Sequence, residues 1–338
     1  MRKAGDRVGD SPTAQDGTTD SAAEHTLVTE GGAIPGHPGM PAYTLRRVEP
    51  SSIPLVLAVP HAGRAYAHTL LERMRHPAFA APRLEDRYVD LIGAEVARRT
   101  GAALLVANAP RAMIDLNRAT DDVDWEMVGP APDASSARRT PVRAAGLASR
   151  SRSGLGLIPR RLPGLGELWN RRLDHHEVEE RIAGVHEPYH AALAETLATV
   201  RDRWGAALLI DLHSMPPLAP PHPGLPAPQF VVGDRFGAAC DGALVAAAFS
   251  FFATRGRPAA HNRPYAGGYV LERHARRSAG VHCLQLEIDR QCYLDSRMAE
   301  PGEGFGATVS LVTELVSALA ADVAGMGREQ RHWRSAAE

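Results

Sequence analysis

The sequence has few cysteines, few aromatic residues, no excess of either charge and no long uninterrupted apolar run. Its three cysteines, Cys240, Cys283 and Cys292, are odd in number and lack paired metal-binding spacing, which argues against a disulfide framework and for a reducing compartment such as the cytoplasm. Lys and Arg number 38 against 39 Asp and Glu, so no net field recruits nucleic acid or an anionic membrane. The longest apolar candidate, 243–253, is shorter than the roughly 20 residues that span a bilayer. These absences favour a small-molecule partner.

What the sequence does contain is enough apolar material for a large folded core. Of its 338 residues, 44% are hydrophobic. Residues 1–42 are rich in Gly, Ser, Thr, Ala and Asp and predict a disordered tail. We expect one α/β domain over 43–325, with an insertion or lid at about 119–166 and a polar tail at 326–338.

The central feature is an apolar run that ends in polar residues, Leu208-Leu209-Ile210-Asp211-Leu212-His213-Ser214. It predicts a buried strand with His213 at its carboxyl end. A similar run over 53–59 ends just before His61 and Gly63, and 281–288 predicts a third strand, which carries Glu287. Ligands of open α/β sheets bind beyond the carboxyl ends of the strands, so these side chains are candidates for chemistry.

Two further stretches add polar candidates. Apolar spacing over 84–99 predicts an amphipathic helix, on which Asp86 and Asp90 would share a face. The run 112–118 predicts a strand that ends in Asn117 and Arg118. Helices are predicted over 168–200 and 236–252 and, last, over 306–323, so the fold class is α/β, a mixed and largely buried sheet with helices on both faces.

Two imidazoles and one carboxylate form a ligand set that zinc accepts in catalytic sites, with one position left for water. His61 and His213 supply the imidazoles, and Glu287 or Asp86 supplies the carboxylate. The other carboxylate is then available to take a proton. Arg111 and Arg118 offer the planar fork that grips a substrate carboxylate.

At these residues the sequence resembles the N-formylglutamate amidohydrolases, a family related to the zinc carboxypeptidases and to the succinylglutamate desuccinylases. The resemblance rests on eight short blocks that occur in order between residues 53 and 320. They are 59–63, 84–90, 111–118, 188–190, 210–216, 232–235, 264–269 and 285–287.

The resemblance implies a carboxypeptidase-related, phosphorylase/hydrolase-like fold with one Zn²⁺, or another divalent metal, per chain. His61 and His213 would be metal ligands. Carboxypeptidases take their third ligand from a Glu where this chain has Arg64, so the third ligand here would be Asp86, whose block matches the family, with Asp90 as the alternative. Glu287 would be the general base. Substrate-binding residues would be Arg111, Asn117, Arg118, Tyr265, Gly267 and Gly268.

The activity implied is hydrolysis of a small N-acyl amino acid, namely N-formyl-L-glutamate to formate and L-glutamate, a step of histidine degradation. Three alternatives remain at this stage. The chain could be a related deacylase or carboxypeptidase-like hydrolase with another substrate, or a binding module without chemistry. The His186-Glu187-Pro188-Tyr189-His190 segment also matches the His-Glu-x-x-His pattern of zinc proteases, but Pro188 argues against a continuous helix there. Ser214 lacks the Gly-x-Ser-x-Gly context of a hydrolase nucleophile. The sequence does not predict an oligomeric state.

Overall fold

The computed structural model describes residues 25–129 and 153–337, with side chains up to residue 332. Eight strands form one sheet in the order β1-β2-β4-β3-β7-β10-β8-β9, and β5 pairs with β6 in a separate hairpin. The strands are β1 His25–Gly31, β2 Tyr43–Glu49, β3 Leu55–Val59, β4 Ala103–Ala107, β5 Arg161–Leu162, β6 Gly166–Glu167, β7 Ala207–Met215, β8 Phe230–Gly233, β9 Ala259–His261 and β10 Val281–Asp289.

The middle of the sheet is parallel and the rest is mixed. Strands β4, β3, β7 and β10 run in the same direction, whereas β2 pairs antiparallel with β4 and β8 pairs antiparallel with β10. All nine residues of β7 and all nine of β10 are buried, as expected for strands covered on both faces. The predicted mixed α/β class is confirmed.

Helices cover both faces. Helices α3, α6 and α8 pack with Leu208, Ile210 and Leu212 on one face of the sheet. The remaining helices lie on the other face, together with Leu209 and Cys283. The helices are α1 His68–Arg73, α2 Pro77–Leu84, α3 Val89–Thr100, α4 His175–Arg181, α5 Glu187–Trp204, α6 Gly242–Thr254, α7 Tyr269–His274 and α8 Phe305–Ala337.

The alternation of side chains along a strand determines which face carries the polar residues. In β7, Asp211 and His213 project to the same face as Leu209, because every second residue of a strand shares a face. In the adjacent β10, Gln285 and Glu287 project with Cys283, and Glu287 lies opposite His213 in the parallel register. The polar residues therefore meet on one face, at the carboxyl halves of neighbouring parallel strands.

Both predicted tails include residues that form regular structure, while residues 1–24 lie outside the described part of the chain. Residues 25–31, placed in the N-terminal tail, form β1, which pairs with β2 through the full register from His25–Glu49 to Gly31–Tyr43. At the other end α8 continues to Ala337, so most of the predicted polar tail is helical. The stretch 305–332 of α8 is long and apolar enough on average to cross a membrane, although Glu314 and Asp322 interrupt its apolar residues. Its buried residues, such as Val312, Val316 and Val323, pack into the core under the sheet.

The predicted helix over 84–99 begins at Val89 instead. Residues 85–88 turn between α2 and α3, and Tyr88 has a positive φ of 60°. Asp86 therefore precedes the helix and does not share a face with Asp90. The apolar periodicity of the sequence continues across the turn at residues 85–88, where the backbone is not helical.

The predicted strand over 112–118 is a buried turn, in which Met113 donates its backbone N–H to Pro110 O and Arg118 to Asp115 O. Its apolar side chains are buried without joining the sheet. The helix predicted from Phe236 begins at Gly242, and Phe236 is exposed with a φ of 54°. Of the predicted insertion at 119–166, residues 130–152 lie outside the described part of the chain.

Candidate active site

Three buried side chains meet where β3, β7 and the turn before α3 come together. His61 follows β3 by two residues, His213 lies near the carboxyl end of β7, and Asp86 donates its backbone N–H to His61 O over 2.9 Å. Asp86 Oδ2 lies 3.0 Å from His213 Nδ1 and 3.6 Å from His61 Nδ1. One ligand atom from each residue lies within 4.8 Å of the other two.

The outward-facing nitrogen of each imidazole is held by a second carboxylate. Nε2 of His61 lies 2.7 Å from Asp115 Oδ1, and Nε2 of His213 lies 2.8 Å from Asp211 Oδ2. A proton on each Nε2 satisfies these bonds, and the Nδ1 atoms of both imidazoles face Asp86, with His213 Nδ1 at hydrogen-bond distance from Asp86 Oδ2. Carboxylates that bind the far nitrogen of a metal-ligating histidine fix its tautomer and raise its basicity in this way.

The electrostatics of the group favour ionised carboxylates. Burial would raise the pKa of Asp86, but the interactions with His213 and His61 hold it well below its ordinary value. Burial would also raise the pKa of Asp115, but Arg111 and His61 outweigh it and hold that pKa well below its ordinary value. The site therefore presents negative charge around two imidazoles.

This donor set fits a divalent metal. Nδ1 of His61 is buried and has no hydrogen-bond partner among the described residues, which is costly unless the nitrogen binds something else. Two imidazole nitrogens and a carboxylate oxygen are ligands that Zn²⁺ accepts in catalytic sites. The other carboxylates hold the imidazoles in position.

Glu287 lies beside this group and is 6% exposed. Burial, together with the negative charges of Asp86 and Asp211, outweighs His213 and Arg111 and raises the pKa of Glu287 to about 7. Its Oε1 accepts a hydrogen bond of 2.8 Å from Gln285 Nε2. A carboxyl group with a pKa near neutrality can both accept and return a proton during catalysis.

The residues predicted to bind substrate are mostly engaged with the protein. Nε of Arg111 donates to Asp115 Oδ2 over 2.9 Å, and Nη1 of Arg118 donates to Asn117 O over 2.9 Å. Both ends of the Asn117 amide are used, since Oδ1 accepts from Val270 N and Nδ2 donates to Gln285 Oε1. Arg111 remains partly exposed beside the site, whereas Asn117 acts as a structural connector.

The predicted loop 264–269 lies over the site, but its members differ in role. Tyr265 is half-buried, and burial together with Glu287 and Asp86 raises the pKa of its hydroxyl, as expected for a group facing these acids. A Cβ on Gly267 would lie 2.4 Å from Leu271 Cδ2, and one on Gly268 would lie 2.4 Å from Asn117 Oδ1. The two glycines allow the loop to pack closely against its neighbours.

Three residues at the site were not assigned roles from the sequence. Asp211 had a readable signal, because it precedes His213 by two residues on a strand. Asp115 had none, since its contact with His61 spans 54 residues. Arg290 lies 3.5 Å from Asp86 Oδ1 and donates to Ser214 Oγ and to Glu85 O, so it braces the outer side of the acid.

The alternative ligand and the alternative motif are both separated from the site. Asp90 pairs with Arg64 through two hydrogen bonds of 2.6 and 3.0 Å. His186 and His190 belong to a continuous π-to-α helix despite Pro188, so the predicted helix break was wrong. Glu187 is nevertheless exposed while both histidines are buried, which does not suit a protease site.

A buried imidazole and carboxylate set beside a carboxyl group with a pKa near 7, on the face of a mixed α/β sheet, defines a hydrolytic enzyme with a candidate metal centre. The sequence profile of the N-formylglutamate amidohydrolases matches residues 53–294. The chain therefore belongs to the N-formylglutamate amidohydrolase family, and it is a hydrolase that acts on amide bonds.

Known proteins agree with this membership. The chain is 28% identical to the N-formylglutamate deformylase of Pseudomonas aeruginosa over 291 residues, covering 82% of this chain and 95% of that protein. It is 26% identical over 246 residues to the Pseudomonas putida enzyme of the same name, covering 72% and 82% of the two chains. The crystal structure of an N-formylglutamate amidohydrolase from Ralstonia eutropha superposes with a TM-score of 0.72 at 31% identity, covering 83% of this chain and 98% of that one.

Proposed function

We propose that this protein is a metal-dependent amidohydrolase that cleaves N-formyl-L-glutamate to formate and L-glutamate. The observation that carries the proposal is the buried group of His61, Asp86 and His213 with Glu287 alongside it. The names of the two Pseudomonas relatives support the acyl group and the amino acid.

His61 Nδ1, His213 Nδ1 and Asp86 Oδ2 would hold the metal, most simply Zn²⁺. When bound, such an ion acidifies water and polarises a carbonyl oxygen. Asp115 and Asp211 accept the Nε2 protons of the two imidazoles, which fixes the ring orientations and turns each Nδ1 towards the metal position. Arg290 offsets the charge on the outer oxygen of Asp86.

Glu287 would act as general base and then as general acid. Its ionised form accepts a proton from the attacking water, and the resulting carboxylic acid passes that proton to the departing amine of glutamate. A pKa near 7 suits both halves of this transfer, because neither protonation state is strongly favoured.

Substrate recognition would fall mainly to Arg111 and Tyr265. Arg111 is partly exposed beside Asp115 and can present part of its guanidinium to a substrate carboxylate. Tyr265 contributes a hydroxyl near Glu287 and Asp86. We retain Arg118 as a second candidate for a carboxylate, whereas Asn117, Gly267 and Gly268 would act by shaping the loops around the pocket.

The direct test is formate release from N-formyl-L-glutamate by purified protein, after metal loading and after chelation. N-acetyl-L-glutamate and N-succinyl-L-glutamate are assayed alongside. We expect formate release that is lost on chelation and restored by Zn²⁺. Activity on another acyl group alone would refute the substrate, and activity that survives thorough chelation would refute the metal. A cytoplasmic location and a role in histidine degradation remain predictions from cysteine usage and from the resemblance.

A further inference from the structure

A second cluster of histidines lies behind the site and has no part in the proposed chemistry. His186 and His190 on one helix meet His274 at the end of α7, and all three are buried. The rings of His186 and His190 are 4.4 Å apart, and those of His190 and His274 stack at 5.2 Å. We call these three residues the histidine cluster.

The cluster is directed at the backbone of one segment. Nε2 of His190 lies 3.0 Å from Leu116 O, and Nε2 of His186 lies 2.9 Å from Arg118 O. Carbonyl oxygens only accept, so both imidazoles must carry their proton on Nε2. Nδ1 of His190 is then an acceptor, and it receives the Nε2 proton of His274 over 2.9 Å.

The segment held in this way, 115–118, connects to both halves of the candidate site. Asp115 Oδ1 contacts Nε2 of His61. Asn117 Nδ2 donates to Gln285 Oε1 over 3.3 Å, and Gln285 Nε2 donates to Glu287 Oε1 over 2.8 Å. A displacement of this turn would therefore move a metal-ligand partner and the base together.

We infer that His190 and His186 are positioning residues, which clamp the turn 115–118 through the carbonyls of Leu116 and Arg118 and so hold Asp115 against His61 and Asn117 against the Gln285–Glu287 pair. The expected effect on catalysis rests on the proposed function. The expected effect on metal binding depends only on the geometry around His61.

The clamp suits a turn that has no sheet to hold it. The sequence predicts a strand over 112–118, but these residues pair with no strand in the described part of the chain, so their carbonyls need other donors. Burial lowers the pKa of His186 to about 4 and of His274 to about 3, which keeps these imidazoles neutral. Neutral imidazoles donate to the carbonyls without adding positive charge behind the metal ligands.

The test compares His190→Leu, which removes the donor, with His190→Gln, whose amide Nε2–H can replace it. Tyr189→Phe is the matched control, because the Tyr189 hydroxyl is equally buried on the same helix but has no hydrogen-bond partner among the described residues. Each variant is assayed for Zn²⁺ affinity by chelator competition, for kcat and KM, and for thermal unfolding. If His190→Leu does not fold, His186→Leu and His186→Gln provide the same comparison at Arg118 O.

We expect the Leu variant to bind Zn²⁺ about 10-fold more weakly, as for loss of a residue that supports a metal ligand. Its kcat should fall, whereas its KM should change less. The Gln variant should recover most of both losses, and Tyr189→Phe should match the wild type. Unchanged Zn²⁺ affinity and kcat in a folded Leu variant, or equal losses in the Leu and Gln variants, would overturn the clamp. Weakened Zn²⁺ binding in a protein with no formylglutamate activity would support the clamp while refuting the proposed substrate.

Discussion

At the scale of single residues, Glu287 carries the sharpest prediction. Replacing it with Gln keeps the shape and the hydrogen-bonding capacity but removes the ability to take a proton. We expect Glu287→Gln to lower kcat by about 10²- to 10⁴-fold with Zn²⁺ affinity unchanged, the range for loss of a general base. In the wild type, activity should fall as the pH drops below the pKa of Glu287, because only the ionised carboxylate accepts a proton. Burial raises that pKa to about 7, and bound Zn²⁺ would lower it.

Steady-state kinetics from pH 5.5 to 8.5 and a chelator competition assay measure both quantities. A Gln variant that retains turnover would remove Glu287 from the chemistry. A variant that loses Zn²⁺ along with turnover would instead make Glu287 a ligand.

Asp211 tests the role of the second carboxylates. Asp211→Asn preserves an acceptor for His213 Nε2 but removes the charge that makes the imidazole a stronger ligand. We expect Zn²⁺ affinity to fall about 10-fold. Asp289→Asn is a matched control. Asp289 is a buried strand acid like Asp211, but it lies on β10 and accepts a hydrogen bond from Gln291 N. Equal Zn²⁺ affinities in the two variants would contradict the assignment.

At the residue scale, sequence reasoning found side chains that follow strands and missed those that reach the site through tertiary packing. His61 and His213 were readable because an apolar run precedes each. Asp115 was not, because its turn lies far along the chain and its interaction with His61 depends on how that turn packs. Asn117 was assigned to substrate, yet its amide is used to join Val270 N to Gln285.

At the scale of elements, the loop before α7 can be tested at Gly268. A Cβ there would lie 2.4 Å from Asn117 Oδ1, so Gly268→Ala must displace either the loop or the Asn117 side chain. We expect a loss of about 1–3 kcal/mol of unfolding free energy and a reduced kcat. Denaturant unfolding and kinetics measure these effects.

Gly242→Ala is the matched control for this substitution. Gly242 begins α6, and a Cβ there would meet no described atom within 4 Å. Its unfolding free energy should stay equal or rise slightly, because Ala favours a helix. If Gly268→Ala were equally neutral, the close packing of the loop would have no energetic importance.

The histidine cluster predicts a pH dependence of stability. Burial lowers the pKa of His190 well below 6.5, so the folded state keeps it neutral while the unfolded state takes up a proton. The stability that it contributes is complete above about pH 6.5 and is lost as the pH falls towards its folded pKa. When the pH is lowered from 7.5 to 5.5, each such histidine reduces the unfolding free energy by about 1.4 kcal/mol.

His190→Gln should therefore reduce the loss of unfolding free energy between these two pH values by about 1.4 kcal/mol. The exposed His222→Gln should leave the loss unchanged. Urea unfolding of the three proteins at both pH values makes the comparison, and a wild-type pH dependence in His190→Gln would contradict a neutral buried imidazole.

Helices and strands were predictable where a buried apolar run also has regular backbone geometry. The apolar runs of β7 and β10 are covered on both faces, so composition alone located them. The run 112–118 is equally apolar, but it is buried as a turn, and composition cannot distinguish the two. The helical spacing before Val89 continued through a turn that depends on the positive φ of Tyr88.

At the scale of the whole molecule, the candidate metal centre links three separated parts of the chain. His61, Asp86 and His213 come from the end of β3, from the turn before α3 and from β7. A ligand that binds only the folded state stabilises it by mass action, so Zn²⁺ at 100 times its dissociation constant should add about 2.7 kcal/mol to the unfolding free energy. Chelation should remove this gain.

His213→Ala separates binding at this centre from binding elsewhere. The variant should lose turnover, and its melting temperature should no longer respond to Zn²⁺, whereas the wild type should rise by several degrees. His222→Ala, in an exposed loop, should respond as the wild type does. A full Zn²⁺ response in His213→Ala would mean that the ion binds outside the three residues. The metal centre would then have to be sought elsewhere, although the fold and the family would stand.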